Sequence, residues 1–391
     1  MILKLSSALG YLIKDPGRTF KILKHGVEMS QCCNRVAPFY SPKYPRVLAR
    51  GIRLFLRGYR GEEALTLGLL DVGIPDSELR KFVSKSEMTK IEEALNPQAW
   101  REVTENKAIF YKFCNSLGIP VPELYAIWFK RHAGYSRDGV ILKNRADWEN
   151  FFRLWLPEEF VIKPAIGAYG WGVKVFRRSG QERFIDVAAD KTCKANDILD
   201  IMLSFSQHDS FVIQERLKSH PEIVRLSGSE NLQTLRIWTY LDGNGQCRII
   251  HAFFKPIVGK NVVDNHEHGL KGNLLAEVAL DTGTLKPAVK MIPNVSGLAT
   301  LFIHPDTGQP LEGFAIPLWD EACRLAEQTA LKFMPLRLIG WDIAVTSDGL
   351  RIIEGNCYGD PPSFDRNMDI MLAPVREDLL STDSGGTTSK R

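Results

Sequence analysis

The chain has 391 residues, more than one hydrophobic core usually fills, so two or three compact units are expected. Hydrophobic residues at 44%, charged residues at 25%, and only 31 Gly and 21 Pro exclude a wholly disordered or collagen-like chain. The net charge of +4 hides a polarity: residues 1–60 hold twelve Lys or Arg against two acids, and the remainder is net acidic.

No run approaches the roughly 18 uninterrupted apolar residues of a membrane-spanning helix. The opening MILKLSSALGYLIKDPG has only a short apolar run, broken by Lys14 and Asp15 and without a cleavage site, so a cytoplasmic protein is expected. Seven cysteines without a C-x-x-C pair indicate neither a disulfide framework nor a zinc site.

The first hundred residues read as short helices, broken by Pro38, Pro42 and Pro45 and by turns at 73–75 and 96–97. Arg46, Arg50, Arg53, Arg57 and Arg60 recur at alternating spacings of four and three, which places them on one helical stripe with Leu48, Ile52, Phe55 and Tyr59 beside it. Gly51 and Gly58 weaken that helix. A helix over NKAIFYKFCNSLG ends at Gly118, where Ile119-Pro120-Val121-Pro122 forces extended chain.

Beyond residue 158 short β runs dominate: EEFVIKP, VKVF, SFVIQER, TLRIWTYL, CRIIHAFFK, LLAEVAL, LIGWDIAVT and LRIIEGN. Two helices, near 194–207 and 317–333, interrupt them. Antiparallel hairpins with helices packed on the sheets define an α+β class. The expected units are a basic helical region at 1–100, a first lobe at 101–215, a second at 216–378, and a disordered tail at 379–391.

Residues 340–356 read as two strands around a tight turn. A loop of Ser347-Asp348-Gly349 would set Thr346 opposite Leu350 and Asp342 opposite Glu354, with Asn356 on the same face. Two carboxylates and an amide oxygen suit Mg²⁺ shared with phosphates. The plainer alternative is a pair of solvent-facing acids, and a two-residue Asp348-Gly349 turn would set Asp342 opposite Gly355 and dismantle the site.

In VIKPAIGAYGWGV, Lys163 ends an apolar strand just before a glycine-rich loop. Glycines let backbone amides approach phosphate, and the lysine adds a point charge; strand rather than helix follows, which excludes Walker A and dinucleotide-binding loops. An ordinary hairpin is the alternative. Arg236 shares a strand face with Thr234, Trp238 and Tyr240, which could simply be an exposed polar face.

The order of these motifs resembles the ATP-grasp superfamily, most closely its sugar-transfer-associated branch, over about residues 101–375. The resemblance rests on a helix-start lysine followed by GIPVP, then KPAIGAYGWG, FVIQERL, TLRIWTY, VVDNHEHG, GWDIAV and IIEGN. It implies two α+β lobes gripping ATP. Lys107 and Lys163 would bind phosphates, Gly167, Gly170 and Gly172 would form the lid, and Gln214, Glu215 and Leu217 would line the hinge that reads adenine. Glu222 is the candidate for the ribose, Arg236 would face the phosphates, and Asp342, Glu354 and Asn356 would hold Mg²⁺, with Mn²⁺ able to replace it. Lys255 stands where the family pattern leads one to expect arginine. Asp264-Asn265-His266-Glu267-His268-Gly269-Leu270 replaces a paired glycine, so the acceptor site departs from the pattern; a metal pair at His266 and His268 lacks a third ligand.

The resemblance implies an ATP-dependent ligase that activates a carboxylate as an acylphosphate and joins it to an amine, releasing ADP and phosphate. Its acceptor side would use Arg236, Lys255, Asp264 and Asn265. The alternative is a phosphotransferase with the same nucleotide site and a small-molecule or sugar-linked acceptor. The basic residues 1–60 are expected to meet an anionic partner, with peripheral attachment to the inner face of a membrane as the preferred version. Nucleic acid is not expected, because neither aromatic interleaving nor a known module accompanies the arginines.

Overall fold

A computed structural model describes residues 16–40, 43–167, 170–180, 182–265, 271–291, 296–361 and 368–385. The chain divides into two compact units. The first comprises Met1–Ile91, Met291–Ala299 and Asp360–Leu372, and the second Glu92–Lys290, Thr300–Gly359 and Ala373–Arg391.

The first unit is helical. Helices α1 (Pro16–Tyr40), α2 (Tyr44–Leu56), α3 (Gly61–Thr66), α4 (Asp76–Leu79) and the start of α5 (Lys85–Leu95) enclose Met29, Cys33, Val47, Leu54, Tyr59 and Leu70. Pro45 sits in the first turn of α2, where its missing N–H costs nothing, and the helix ends as Gly58 enters the left-handed region at φ +88. The five-arginine stripe is therefore not one helical face. Arg57 caps the C-terminus of α2 and Arg60 precedes α3.

Nor is the stripe turned outward as a whole. Arg50 is buried and its guanidinium donates to the carbonyls of Asp71 and Ile74, while Arg57 donates to the carbonyls of Leu79 and Phe82. Arg53 pairs with Asp76 at 2.8 Å. These arginines fasten the segment 71–82 to α2, a role that spacing alone does not reveal.

The second unit is α+β. Helix α6 (Lys107–Ser116) precedes β1 (Leu124–Phe129), β2 (Gly134–Ser136) and β3 (Ile141–Leu142); α7 (Arg145–Leu154) follows, then β4 (Glu159–Pro164), β5 (Lys174–Arg178), β6 (Arg183–Asp186), β7 (Lys191–Lys194), α8 (Ala195–Ser204) and β8 (Ser210–Glu215). Among the described residues these strands form an eight-stranded antiparallel sheet in the order β3-β2-β1-β8-β4-β5-β6-β7. Its core is aromatic, with Phe160 stacked between Phe152 and Phe176. The β pattern thus begins at residue 124, ahead of the 158 expected from the sequence.

After α9 (Pro221–Ser227) come β9 (Thr234–Leu241), β10 (Cys247–Phe254), β11 (Ala276–Glu277), the short strands β12 (Ala288–Met291) and β13 (Leu298–Leu301), helix α10 (Trp319–Lys332), and the long pair β14 (Leu338–Thr346) and β15 (Gly349–Asn356). The second sheet runs β11-β10-β9-β14-β15, with α10 packed on β9 and β10. The run LLAEVAL contributes only the two residues of β11. Helix α11 (Ala373–Gly385) carries through residues 379–385, so the expected disordered tail begins as helix; residues 386–391 lie outside the described residues.

The β14–β15 hairpin reaches the expected pairing by an unexpected route. Its loop is the two residues Ser347 and Asp348, so Thr346 faces Gly349, not Leu350. Left uncorrected, that register would set Ile353 opposite Asp342. A bulge between Asp342 and Ile343 leaves Ile353 unpaired and restores Asp342 opposite Glu354 and Gly340 opposite Asn356.

Candidate active site

The site draws its side chains from α6, β4, β9, β14 and β15. Asn106 caps α6 by accepting from the N–H groups of Ala108 and Ile109, which fixes Lys107 in the first turn. From there Lys107 Nζ donates to the carbonyl of Gly167 at 3.0 Å and lies 3.5 Å from Glu354 Oε2. Lys163, at the end of β4, donates to the Tyr111 hydroxyl at 2.6 Å. Burial, with the Lys107 charge adding, pushes the Lys163 ammonium down to about 7.

On the second sheet, cross-strand pairing places Arg236 beside Asp342 and Asp342 beside Glu354. Arg236 grips Asp342 through both Nε at 2.5 Å and Nη2 at 2.8 Å. The polar-face alternative fails because Trp238 and Tyr240 are fully buried. Lys255 Nζ lies 3.2 Å from Asp342 and 3.6 Å from Asp264, whose Oδ2 accepts from both N and Oγ1 of Thr234. Burial alone would raise the Asp342 carboxyl, but Arg236 and Lys255 outweigh it and hold it well below the usual carboxylate range. Asp264 moves up instead, because burial dominates over the opposing Lys255 charge.

Gly170 and Gly172 adopt positive φ, at +68 and +74, so these positions favour glycine. A Cβ on Gly170 would lie 2.7 Å from Nδ2 of Asn265, so the loop closes directly over Asn265. Gly167 contributes the carbonyl that Lys107 binds. Ala168 and Tyr169 of the loop, and His266, Glu267, His268, Gly269 and Leu270, lie outside the described residues.

The hinge residues are less uniform. Gln214 is buried in β8, and among the described residues its Oε1 has no hydrogen-bond partner. Glu215 accepts from the N–H of Glu123, Leu217 is half-buried just past the strand, and Glu222 pairs with Arg225 on α9. The recorded bonds of Glu222 tie it to its own helix.

The donor set fits a hard cation. Asp342 and Glu354 are cross-strand partners, an arrangement of like charges that a divalent ion would relieve. Asn356 turns Nδ2 to the Gly340 carbonyl at 3.3 Å, which leaves its amide oxygen able to serve as a third ligand. Among the described residues no group of three or more His, Cys, Asp or Glu is placed to hold a metal ion. The set is therefore suited to Mg²⁺ that completes its shell with phosphate oxygens.

Two groups were not legible as site residues. Tyr111 is fully buried and joins Lys163 to β15 through a bond to the Ile353 carbonyl. Asn273 donates to the carbonyls of Val263 and Asn265 and so brackets Asp264. Nothing local in the sequence marks either; each matters through backbone groups brought close only by the fold.

Two antiparallel sheets, a glycine-rich segment after β4 and a cation-rich cluster against paired acids are the parts of an ATP-grasp fold. The chain belongs to the sugar-transfer associated ATP-grasp family, whose profile matches residues 86–363. Among solved structures it is similar to D-alanyl-alanine synthetase A from Vibrio cholerae, at 13% identity and TM-score 0.39 over 71% of this chain and 66% of that one. The D-alanine–D-alanine ligase from Bacillus anthracis is 13% identical, with TM-score 0.38 over 72% and 69%. Biotin carboxylase from Campylobacter jejuni is 11% identical, with TM-score 0.41 over 70% of this chain and only 46% of that one. This chain thus spans just under two thirds of the first of these and less than half of the last. No curated protein matches it.

Proposed function

We propose that the protein is an ATP-dependent ligase that converts a carboxylate to an acylphosphate and joins it to an amine, releasing ADP and phosphate. The observation that carries this reading is the convergence of Lys107, Lys163, Arg236 and Lys255 around Asp342 and Glu354. Lys107 and Lys163 would bind the phosphates, and Arg236 and Lys255 would draw an anionic acceptor toward them. Asp342, Glu354 and Asn356 would hold Mg²⁺, which when bound supplies neutralisation of phosphate charge. Gly167, Gly170 and Gly172 would close over the nucleotide and exclude the water that would hydrolyse an acylphosphate. Gln214, Glu215 and Leu217 would read adenine, and Glu222 the ribose. Asp264, fixed by Thr234, and Asn265, under the lid, would orient the amine.

With carboxylate and ATP but no amine, hydroxylamine should yield a hydroxamate while ADP accumulates, since an acylphosphate is electrophilic and a phosphate ester is not. A stably phosphorylated acceptor without hydroxamate would replace this reading with the phosphotransferase.

For the first unit we propose attachment to an anionic membrane surface, on different residues from the arginine stripe. Phe20, Leu23 and Val27 are exposed at 70%, 64% and 58%, on one face of α1 with Lys24 and beside Lys21. No helix among the described residues is long and apolar enough to cross a membrane.

A further inference from the structure

Tyr111 stands at the junction of the nucleotide groups without touching solvent. Its O–H donates to the carbonyl of Ile353 at 3.0 Å, and its oxygen accepts from Lys163 Nζ at 2.6 Å. One phenol thus ties the lysine at the end of β4 to β15, the strand that carries Glu354.

The partner on β15 is the unpaired residue of the bulge. A bulge leaves the extra residue's backbone without its ladder partners, and here Tyr111 supplies a partner to that carbonyl. Were the bulge to relax, the register set by the two-residue loop would run on and bring Ile353 opposite Asp342. Because side chains alternate, Glu354 would then turn to the other face of the sheet.

We infer that Tyr111 is a positioning residue: its hydroxyl holds the bulge that keeps Glu354 opposite Asp342, and it aims Lys163 at the same place, so the phosphate and metal groups are set by one side chain. This rests on the reading of Lys163 and Glu354 as Mg²⁺-nucleotide groups. Tyr111→Phe keeps the ring that packs on Phe110 and lies beneath the Lys163 ammonium, and removes only the hydroxyl. Its consequence should be a site with both halves present and out of register.

The test is equilibrium binding of a fluorescent ATP analogue to the full-length chain across a Mg²⁺ titration. Wild type is compared with Tyr111→Phe, Lys163→Ala, the double variant, and Phe110→Leu as a neighbouring core change. Tyr111→Phe should weaken nucleotide affinity about tenfold and raise the Mg²⁺ needed for half-maximal binding by a similar factor. The double variant should lose less than the product of the single losses, because both act through one lysine. Phe110→Leu should leave the Mg²⁺ requirement unchanged. A wild-type Mg²⁺ requirement in Tyr111→Phe overturns the inference, as does an equal shift in Phe110→Leu or failure of Tyr111→Phe to fold when Phe110→Leu folds. Unchanged affinity in Lys163→Ala would sink the nucleotide reading itself, and this inference with it.

Discussion

The two units hold clustered cations in opposite ways. In the first, Arg50 and Arg57 donate to the backbone carbonyls of Asp71, Ile74, Leu79 and Phe82, and Arg50 lies 3.6 Å from the carboxylate of Asp76. In the second, Lys107, Arg236 and Lys255 face Glu354, Asp342 and Asp264, and Lys163 rests on a phenol. A guanidinium between carbonyls is part of the scaffold. Cations paired with carboxylates form a balance that, on the proposed function, phosphate and a divalent cation would shift. The two clusters therefore differ in their principal partners, backbone carbonyls in one and buried carboxylates in the other.

The sharpest way to break this comparison is to neutralise one acid. Glu354→Gln should lower turnover by on the order of 10³ while leaving the melting temperature near wild type, because its carboxylate is partly exposed and its Lys107 contact is loose. Asp342→Asn should lose turnover and also destabilise the fold. It would leave Arg236 buried without its bidentate counter-charge and Lys255 with Asp264 alone, a change worth roughly 3–5 kcal/mol. Stopped-flow ADP release and thermal melting check both, and an active Glu354→Gln would remove the metal assignment.

In the first unit the ranking should follow burial. Arg50→Ala should cost about 2–3 kcal/mol, since two carbonyls lose a charged donor, whereas Arg53→Ala, whose guanidinium is largely exposed, should cost less than about 0.5 kcal/mol. Neither should alter nucleotide affinity. Equal effects in urea unfolding would show that the stripe is not a fastening.

Lys163 sharpens the comparison through pH. With its ammonium pushed down to about 7, the free protein sheds this proton as pH rises through neutrality, while bound phosphate favours the charged form. ATP binding should therefore take up close to one proton at about pH 8 and little at about pH 6, with affinity falling as pH rises by up to about tenfold per unit. Calorimetry in buffers of different ionisation heat measures this directly. Lys163→Arg should abolish the uptake.

Much of the site was legible because its groups sit on strands, where alternation puts Asp342, Glu354 and Asn356 on one face. The hairpin shows the limit of that reasoning. The three-residue loop was wrong, yet the pairing held, because a bulge that no local residue type announces absorbed the difference. The arginine stripe failed for a related reason: helical spacing says which side chains share a face, and not whether that face meets lipid or the carbonyls of residues 71–82. Strand β1, with Tyr125, Trp128 and Phe129, carries strand-favouring aromatics but directly continues the extended segment of Pro120 and Pro122, with no turn to mark its start.

The smallest expected effect concerns the outer face of α1. Arginines bonded within the unit offer little to a membrane, so vesicle binding should depend on Lys21 and Lys24, with Phe20, Leu23 and Val27 entering the interface. Each lysine near an anionic surface contributes about 1 kcal/mol, so Lys21→Glu with Lys24→Glu should lower cosedimentation with phosphatidylglycerol vesicles by more than about tenfold at low salt. Added salt should lower wild-type binding in the same direction, because screening shortens the reach of both charges. Arg53→Glu should change it less, since its charge is already shared with Asp76. If wild type does not sediment with acidic vesicles at low salt, the apolar face of α1 belongs to a protein or polysaccharide partner, and the first unit's charge is spent on its own fold.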